Sequence, residues 1–124
     1  MREHAADATR LAAPELGAVA LAAAASLDSG LPFLIVRKEA KAYGTGNRVE
    51  GPYAEGESVC LIEDVVTSGG ALLESIEALR GAGLVVHTAV CVVDREEGGA
   101  DALARAAVRL RPLFRASDLL AHVK

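Results

Sequence analysis

One stretch constrains the fold of this chain more than any other: Val59-Cys60-Leu61-Ile62-Glu63-Asp64-Val65-Val66-Thr67-Ser68-Gly69-Gly70-Ala71-Leu72-Leu73. It opens as a short apolar run, the pattern of a strand buried on both faces. Two adjacent acids follow, then a turn of small residues, then an amphipathic run. Leu72, Leu73, Ile76 and Leu79 recur at helical spacing, which predicts a helix from Ala71 to Arg80 with Gly81 as its C-terminal cap. Such a unit can cradle an anion. Glycines let the backbone approach it, hydroxyls donate to it, and the helix N-terminus offers free N–H groups with a favourable dipole. The plainer alternative is a strand-to-helix turn in which Gly69-Gly70 only permits a tight bend. Glu63-Asp64 ahead of the turn and Thr67-Ser68 within it favour the cradle.

The chain of 124 residues is read as a single domain, 1–124, long enough for a real core. Hydrophobic residues make up 52% of it, but only two Phe and two Tyr are present, so the expected core is aliphatic and alanine-lined. No apolar run approaches the ~20 residues of a membrane span. Arg2, Glu3, His4 and Asp7 stand where an apolar leader would start, so the cytoplasm is the expected location. A net charge of −4 argues against a general nucleic-acid surface. Arg37, Lys38, Lys41 and Arg48 nevertheless cluster, and local positive charge on an acidic protein suits a small polyanion. Cys60 and Cys91, each inside a predicted strand, read as core thiols rather than a disulfide or zinc pair.

Along the chain, residues 1–10 read as a frayed helix or its remnant. Leu11–Ala13 is a short strand, Pro14-Glu15-Leu16-Gly17 a turn, and a helix then runs to about Leu27, ended by Asp28-Ser29-Gly30. Phe33–Val36 is the next strand, and it leads into a long charged connection, Arg37–Gly56. After the central unit, Leu84–Val93 reads as a central parallel strand, with His87 as a packed core histidine. Asp94–Gly99 is a charged loop, followed by a helix over about Ala100–Ala107, a strand at Val108–Leu110 and a terminal helix capped by Ser117. Alternating strands and helices predict an α/β fold, a mainly parallel sheet flanked by helices. Ligands of such sheets bind beyond the carboxyl ends of the strands. Pro14–Gly17, Arg37–Gly56, Glu63–Gly70 and Asp94–Gly99 all follow predicted strands and are expected on one edge.

The central stretch resembles the phosphoribosyl-diphosphate (PRPP) loop of type I phosphoribosyltransferases. That resemblance implies a type I phosphoribosyltransferase-like core. It also implies that Glu63 and Asp64 hold the ribose hydroxyls, while Val65, Val66, Thr67, Ser68, Gly69, Gly70 and Ala71 surround the 5′-phosphate. Arg37-Lys38-Glu39-Ala40-Lys41-Ala42-Tyr43-Gly44 looks like the catalytic loop of orotate phosphoribosyltransferases, Arg-Lys-x-x-Lys-x-His-Gly, which contacts the diphosphate of PRPP. Arg37, Lys38 and Lys41 carry over, and Tyr43 stands where the family has a histidine; its hydroxyl can donate a hydrogen bond. Asp94-Arg95-Glu96-Glu97-Gly98-Gly99 matches the family's Asp-Arg-x-Glu-Gly-Gly loop, which implies that Arg95, with Thr67, contacts orotate. Pro14-Glu15-Leu16-Gly17 is similar to the pyrophosphate-side loop, with Ala18 in place of its second glycine.

The implied activity is transfer of the phosphoribosyl group from PRPP to orotate, giving orotidine 5′-phosphate and diphosphate in pyrimidine (UMP) biosynthesis. Lys41 and Asp64 are the implied catalytic residues. Mg²⁺ is the implied cofactor, carried by PRPP rather than by direct protein ligands. The family also implies a homodimer with a shared active site and an N-terminal segment covering the site, which this chain is expected to lack. Two alternatives stand beside this reading: a PRPP- or nucleotide-binding module without turnover, and a phosphoribosyltransferase for another base.

Overall fold

The computed structural model of the chain describes residues 8–39 and 47–121. In chain order the elements are β1 (Arg10–Pro14), α1 (Val19–Ser29), β2 (Phe33–Val36), β3 (Val49–Glu50), β4 (Ser58–Val66), α2 (Gly70–Gly81), β5 (Val85–Asp94), α3 (Gly99–Arg105), β6 (Arg109–Arg115) and α4 (Ala116–Leu120). They build one sheet of order β3-β2-β1-β4-β5-β6. All neighbours are parallel except β3, which pairs antiparallel with β2 through Ile35↔Glu50 and Val36↔Val49. The expected mainly parallel α/β fold is present.

Alternation along β4 sends side chains to two cores. Val59 and Leu61 join Leu72, Ile76 and Leu79 of α2 and Leu103 of α3 on one face. Cys60 and Ile62 join Leu11, Ala13 and the α1 alanines Ala22 and Ala25 on the other. Each fully buried Leu or Ile contributes about 1.5–3 kcal/mol of transfer free energy. Alanine is a poor strand former, yet Ala12 and Ala13 are fully buried in β1, because burial between two sheet neighbours and a helix overrides propensity. The α1 side also keeps an apolar cleft of about 310 Å³ beside Leu21, Ile62, Val92 and Leu113.

Several expectations are corrected. Residues 1–7 lie outside the described residues, but Thr9 and Arg10 are not helical: Thr9 N–H donates to Ser58 O at 3.0 Å, and Arg10 opens β1. The connection 37–56 contains β3. Strand β4 extends through Glu63 and Asp64 to Val66, so the acid pair stands on the strand rather than in a loop. Gly81 is the last residue of α2 rather than its left-handed cap; the positive φ of 89° falls at Gly83. His87 is exposed, not packed. The β4–β5 register steps from Val59↔Val86 to Cys60↔Thr88, leaving His87 as the extra residue of a bulge. Helix α3 is shorter than expected and ends ahead of Ala107, whose φ is 62°. Strand β6 runs to Arg115 and tolerates Pro112 because it is an edge strand. Ser117 lies within α4 and caps nothing; its N–H donates to Glu96 Oε1 at 2.7 Å.

Candidate active site

Parallel pairing sets the strand ends level. Pro14 lies opposite Val36, and Val66 opposite Asp94, so the segments after β1, β2, β4 and β5 leave one edge of the sheet. Three contacts tie them together. Lys38 N–H donates to Glu15 Oε1 at 2.7 Å. Asp64 Oδ2 lies 3.1 Å from where a Cβ on Gly17 would stand. Arg95 N–H donates to Val66 O at 2.9 Å. The peptide bond between Glu15 and Leu16 is cis.

Thr67–Gly69 makes the turn from β4 into α2, with Gly69 at φ 92°, a conformation that favours glycine. Neither a capping side chain nor an acidic residue occupies the first turn of α2. The orphan N–H groups there are thus left to an external acceptor, with the dipole favouring negative charge. Thr67, Ser68 and Gly70 are exposed, and a concavity of about 70 Å³ is lined by Glu63 and the segment from Val65 to Leu72. Val65 is exposed and Val66 buried, so of these two only Val65 offers its side chain to a ligand. Chemically, such a turn can receive a compact anion.

The two acids differ in state. Burial of the half-buried Glu63, reinforced by a hydrogen bond with the Asp64 side chain, pushes its carboxyl up to about 7. That same bond, followed by the Val65 N–H, holds the exposed Asp64 below its ordinary value. Asp64 Oδ1 accepts from Val65 N–H at 2.7 Å, and Glu63 Oε1 accepts from Asp64 N–H at 3.0 Å. Near neutral pH the pair therefore holds an ionised Asp64 beside a carboxyl poised to release a proton, and both accept hydrogen bonds once the proton is gone.

The cations are less free than their sequence reading implies. Arg37 Nη1 pairs with Glu50 Oε1 at 3.1 Å, and its carbonyl accepts from Arg48 Nε at 2.8 Å. Arg95 Nε pairs with Glu97 Oε2 at 3.0 Å, with both side chains about half exposed. Lys38 is exposed on the edge beside Glu15. Lys41 and Tyr43 lie outside the described residues. Among the described residues no group of three His, Cys, Asp or Glu could hold a metal ion, and no helix is long and apolar enough to cross a membrane.

The sequence places Gly99 and Asp94 in the charged loop but gives neither a role of its own. Gly99 abuts Val66 and Thr67, and the buried Asp94 accepts Glu96 N–H at 2.9 Å, holding the turn that carries Arg95. The Gly98-Gly99 pair was visible, but which glycine needs its missing Cβ depends on what packs against it.

Residues 6–109 match the family described as phosphoribosyl transferase domain. Over 113 residues the chain is 50% identical to orotate phosphoribosyltransferase of Methanocella arvoryzae, covering 91% of this chain and 65% of that protein. It is 49% identical to the enzyme of the same name from Halobacterium salinarum, covering 90% and 64%. The chain thus spans just under two thirds of these relatives' length. The crystal structure of orotate phosphoribosyltransferase from Aeropyrum pernix superposes with a TM-score of 0.86 at 35% identity, covering 96% of this chain and 67% of that one. That of the Mycobacterium tuberculosis enzyme in complex with PRPP superposes with a TM-score of 0.82 at 32% identity, covering 96% and 70%.

Proposed function

The chain belongs to the phosphoribosyl transferase domain family, and on that footing we propose that it is the catalytic core of an orotate phosphoribosyltransferase of pyrimidine biosynthesis. The observation that carries the proposal is the uncapped start of α2 behind an acid pair, on the edge where the basic loop and Arg95 also emerge. Identity of about half to proteins of that name, over nine tenths of this chain, supports orotate as the base.

In this reading the 5′-phosphate sits against Thr67–Ala71 and accepts from the first-turn N–H groups. Glu63 and Asp64 accept hydrogen bonds from the two ribose hydroxyls. The bond from the anomeric carbon to diphosphate breaks and its electron pair leaves with the diphosphate, while a ring nitrogen of orotate forms the new bond and gives up its N–H proton to the released diphosphate or to water. Positive charge grows at the anomeric carbon and negative charge on the leaving group. Arg37, Lys38 and Lys41 neutralise the latter, and fixed charge of this kind is usually the largest catalytic contribution. Arg95, released from Glu97, offers two parallel donors to the orotate carboxylate. Tyr43 adds a hydrogen-bond donor.

The acid pair fits Mg²⁺, which binds through one or two carboxylates plus substrate phosphates, and Asp64 is both exposed and ionised. Asp64, with Glu63 beside it, would hold the ion through its waters; when bound, it neutralises charge on the diphosphate. A homodimer in which the basic loop reaches the neighbouring site, acting in the cytoplasm, completes the proposal.

The test is spectroscopic: orotate consumption with PRPP and Mg²⁺, in wild type and Lys41→Ala. Equal rates would sink the catalytic role of the basic loop. A binding module without turnover is the second reading, favoured by the ion pairs that engage Arg37 and Arg95. Calorimetric binding of PRPP by a chain that consumes no orotate would establish it.

A further inference from the structure

The anion-binding turn rests on the start of α3. A Cβ on Gly69 would stand 3.3 Å from Gly99 Cα, 3.4 Å from Gly99 O and 3.1 Å from Leu103 Cδ1. In return, a Cβ on Gly99 would stand 2.5 Å from Val66 Cγ1, 2.9 Å from Thr67 O and 3.6 Å from Gly69 N. Two backbones therefore meet glycine to glycine. The bond from Arg95 N–H to Val66 O ties the same two segments together four residues earlier.

A side chain at Gly99 has nowhere to go, because Thr67 O is backbone and no rotamer change withdraws it. Position 99 is helical and its φ is not in the left-handed region, so alanine would bring no backbone strain. Intolerance there would come from contact alone. Of the two segments, α3 is anchored by the fully buried Leu103, whereas three of the four residues Thr67–Gly70 are exposed. The turn is the part that yields.

We propose that Gly99 is a positioning residue: it touches no ligand, but it holds the Thr67–Gly70 turn in register and joins it to the loop carrying Arg95. The phosphate and base subsites then share one backbone unit. This rests on the phosphoribosyl-transfer reading above, and its test separates the two.

Calorimetry in Mg²⁺ would compare wild type, Gly99→Ala and Gly81→Ala with two ligands, PRPP and inorganic pyrophosphate. Pyrophosphate lacks the 5′-phosphate and stands for the diphosphate of PRPP, which the reading above places beside Arg37, Lys38 and Lys41 rather than at the turn. Gly81 is the control, a helical glycine whose added Cβ meets nothing within 4 Å. Gly99→Ala is expected to weaken PRPP by about tenfold or more, the scale at which small misplacements act, and to leave pyrophosphate within about twofold. Gly81→Ala is expected to change neither. Equal PRPP affinity in wild type and Gly99→Ala would overturn the positioning role, as would equal losses for both ligands, which mark general damage. Failure of wild type to bind PRPP would overturn the underlying reading and this one with it. Should Gly99→Ala not fold, Leu103→Val withdraws support beneath Gly69 without adding bulk. It is expected to weaken PRPP about threefold with pyrophosphate unchanged, and unchanged PRPP affinity would again overturn the proposal.

Discussion

Asp64 Oδ2 lies 3.1 Å from the position a Cβ would take on Gly17, so the loop after β1 and the acid pair of β4 are in contact through a missing side chain. Gly17 is not in the left-handed region, and alanine there strains only this contact. Gly17→Ala is expected to swing the Asp64 carboxylate aside and weaken PRPP by about tenfold, roughly 1.4 kcal/mol. Stability should change by less than about 1 kcal/mol, because the carboxylate is exposed and can turn into solvent. Calorimetry beside thermal melts measures both. A large loss of stability with unchanged affinity would refute the expectation.

The Glu63 carboxyl makes stability depend on pH with a definite sign. Its folded value, about 7, lies above the ordinary 4.5, so folding favours the protonated form. That contribution is present in full below the ordinary value and is lost as pH rises through about 7. Glu63→Gln cannot ionise. Its melting temperature relative to wild type should therefore rise between about pH 5 and about pH 8. A difference that stays constant across that range would show that Glu63 titrates normally.

PRPP affinity should follow the same group. If Glu63 accepts from a ribose hydroxyl only when ionised, affinity increases from about pH 6 to about pH 8 and binding releases a proton. Calorimetry in two buffers of different ionisation enthalpy reads the proton directly. Its persistence in Glu63→Gln would assign it elsewhere.

Arg95→Ala separates a surface ion pair from a base contact. The bond to Glu97 is exposed at both ends, so its loss should cost at most about 0.5 kcal/mol of stability. Orotate turnover should fall by at least about tenfold while PRPP affinity stays within about twofold. Unchanged turnover would leave Arg95 as a surface residue.

Cys60 and Cys91 should be inert in the folded chain. Burial pushes their thiols up to about 11 and about 12, so no thiolate is available at neutral pH. A thiol reagent is expected to modify both only after denaturation, and rapid modification of native protein would contradict their burial.

How much was legible in the sequence varies from residue to residue. The glycine turn, the helix behind it and the strand Phe33–Val36 follow from periodicity and turn chemistry, which are local. Strand β6 runs past Leu110 to Arg115 through Arg111 and Pro112, a stretch with no clear strand pattern that its edge position tolerates. His87 looked interior because its neighbours are apolar, and a one-residue slip in pairing turned it outward. In the sequence Glu63 and Asp64 are simply adjacent acids, yet burial of one and exposure of the other separate their ionisation.

By itself, then, the sequence determined the kinds of groups present and their spacing along the chain: a glycine turn, an acid pair, clustered cations and an alternating α/β order. Those depend on residues near one another in the chain, where propensity and periodicity act. Tertiary structure decided which groups meet. Parallel pairing levelled the strand ends, and close approach set Asp64 against Gly17 and the Val66 side chain and Thr67 carbonyl against Gly99. Ion pairing drew Arg37 to Glu50, 13 positions along the chain. Contacts of that kind join residues far apart in sequence, and no local pattern encodes them. The glycine turn itself was legible at once; the α3 backbone against which it rests was not.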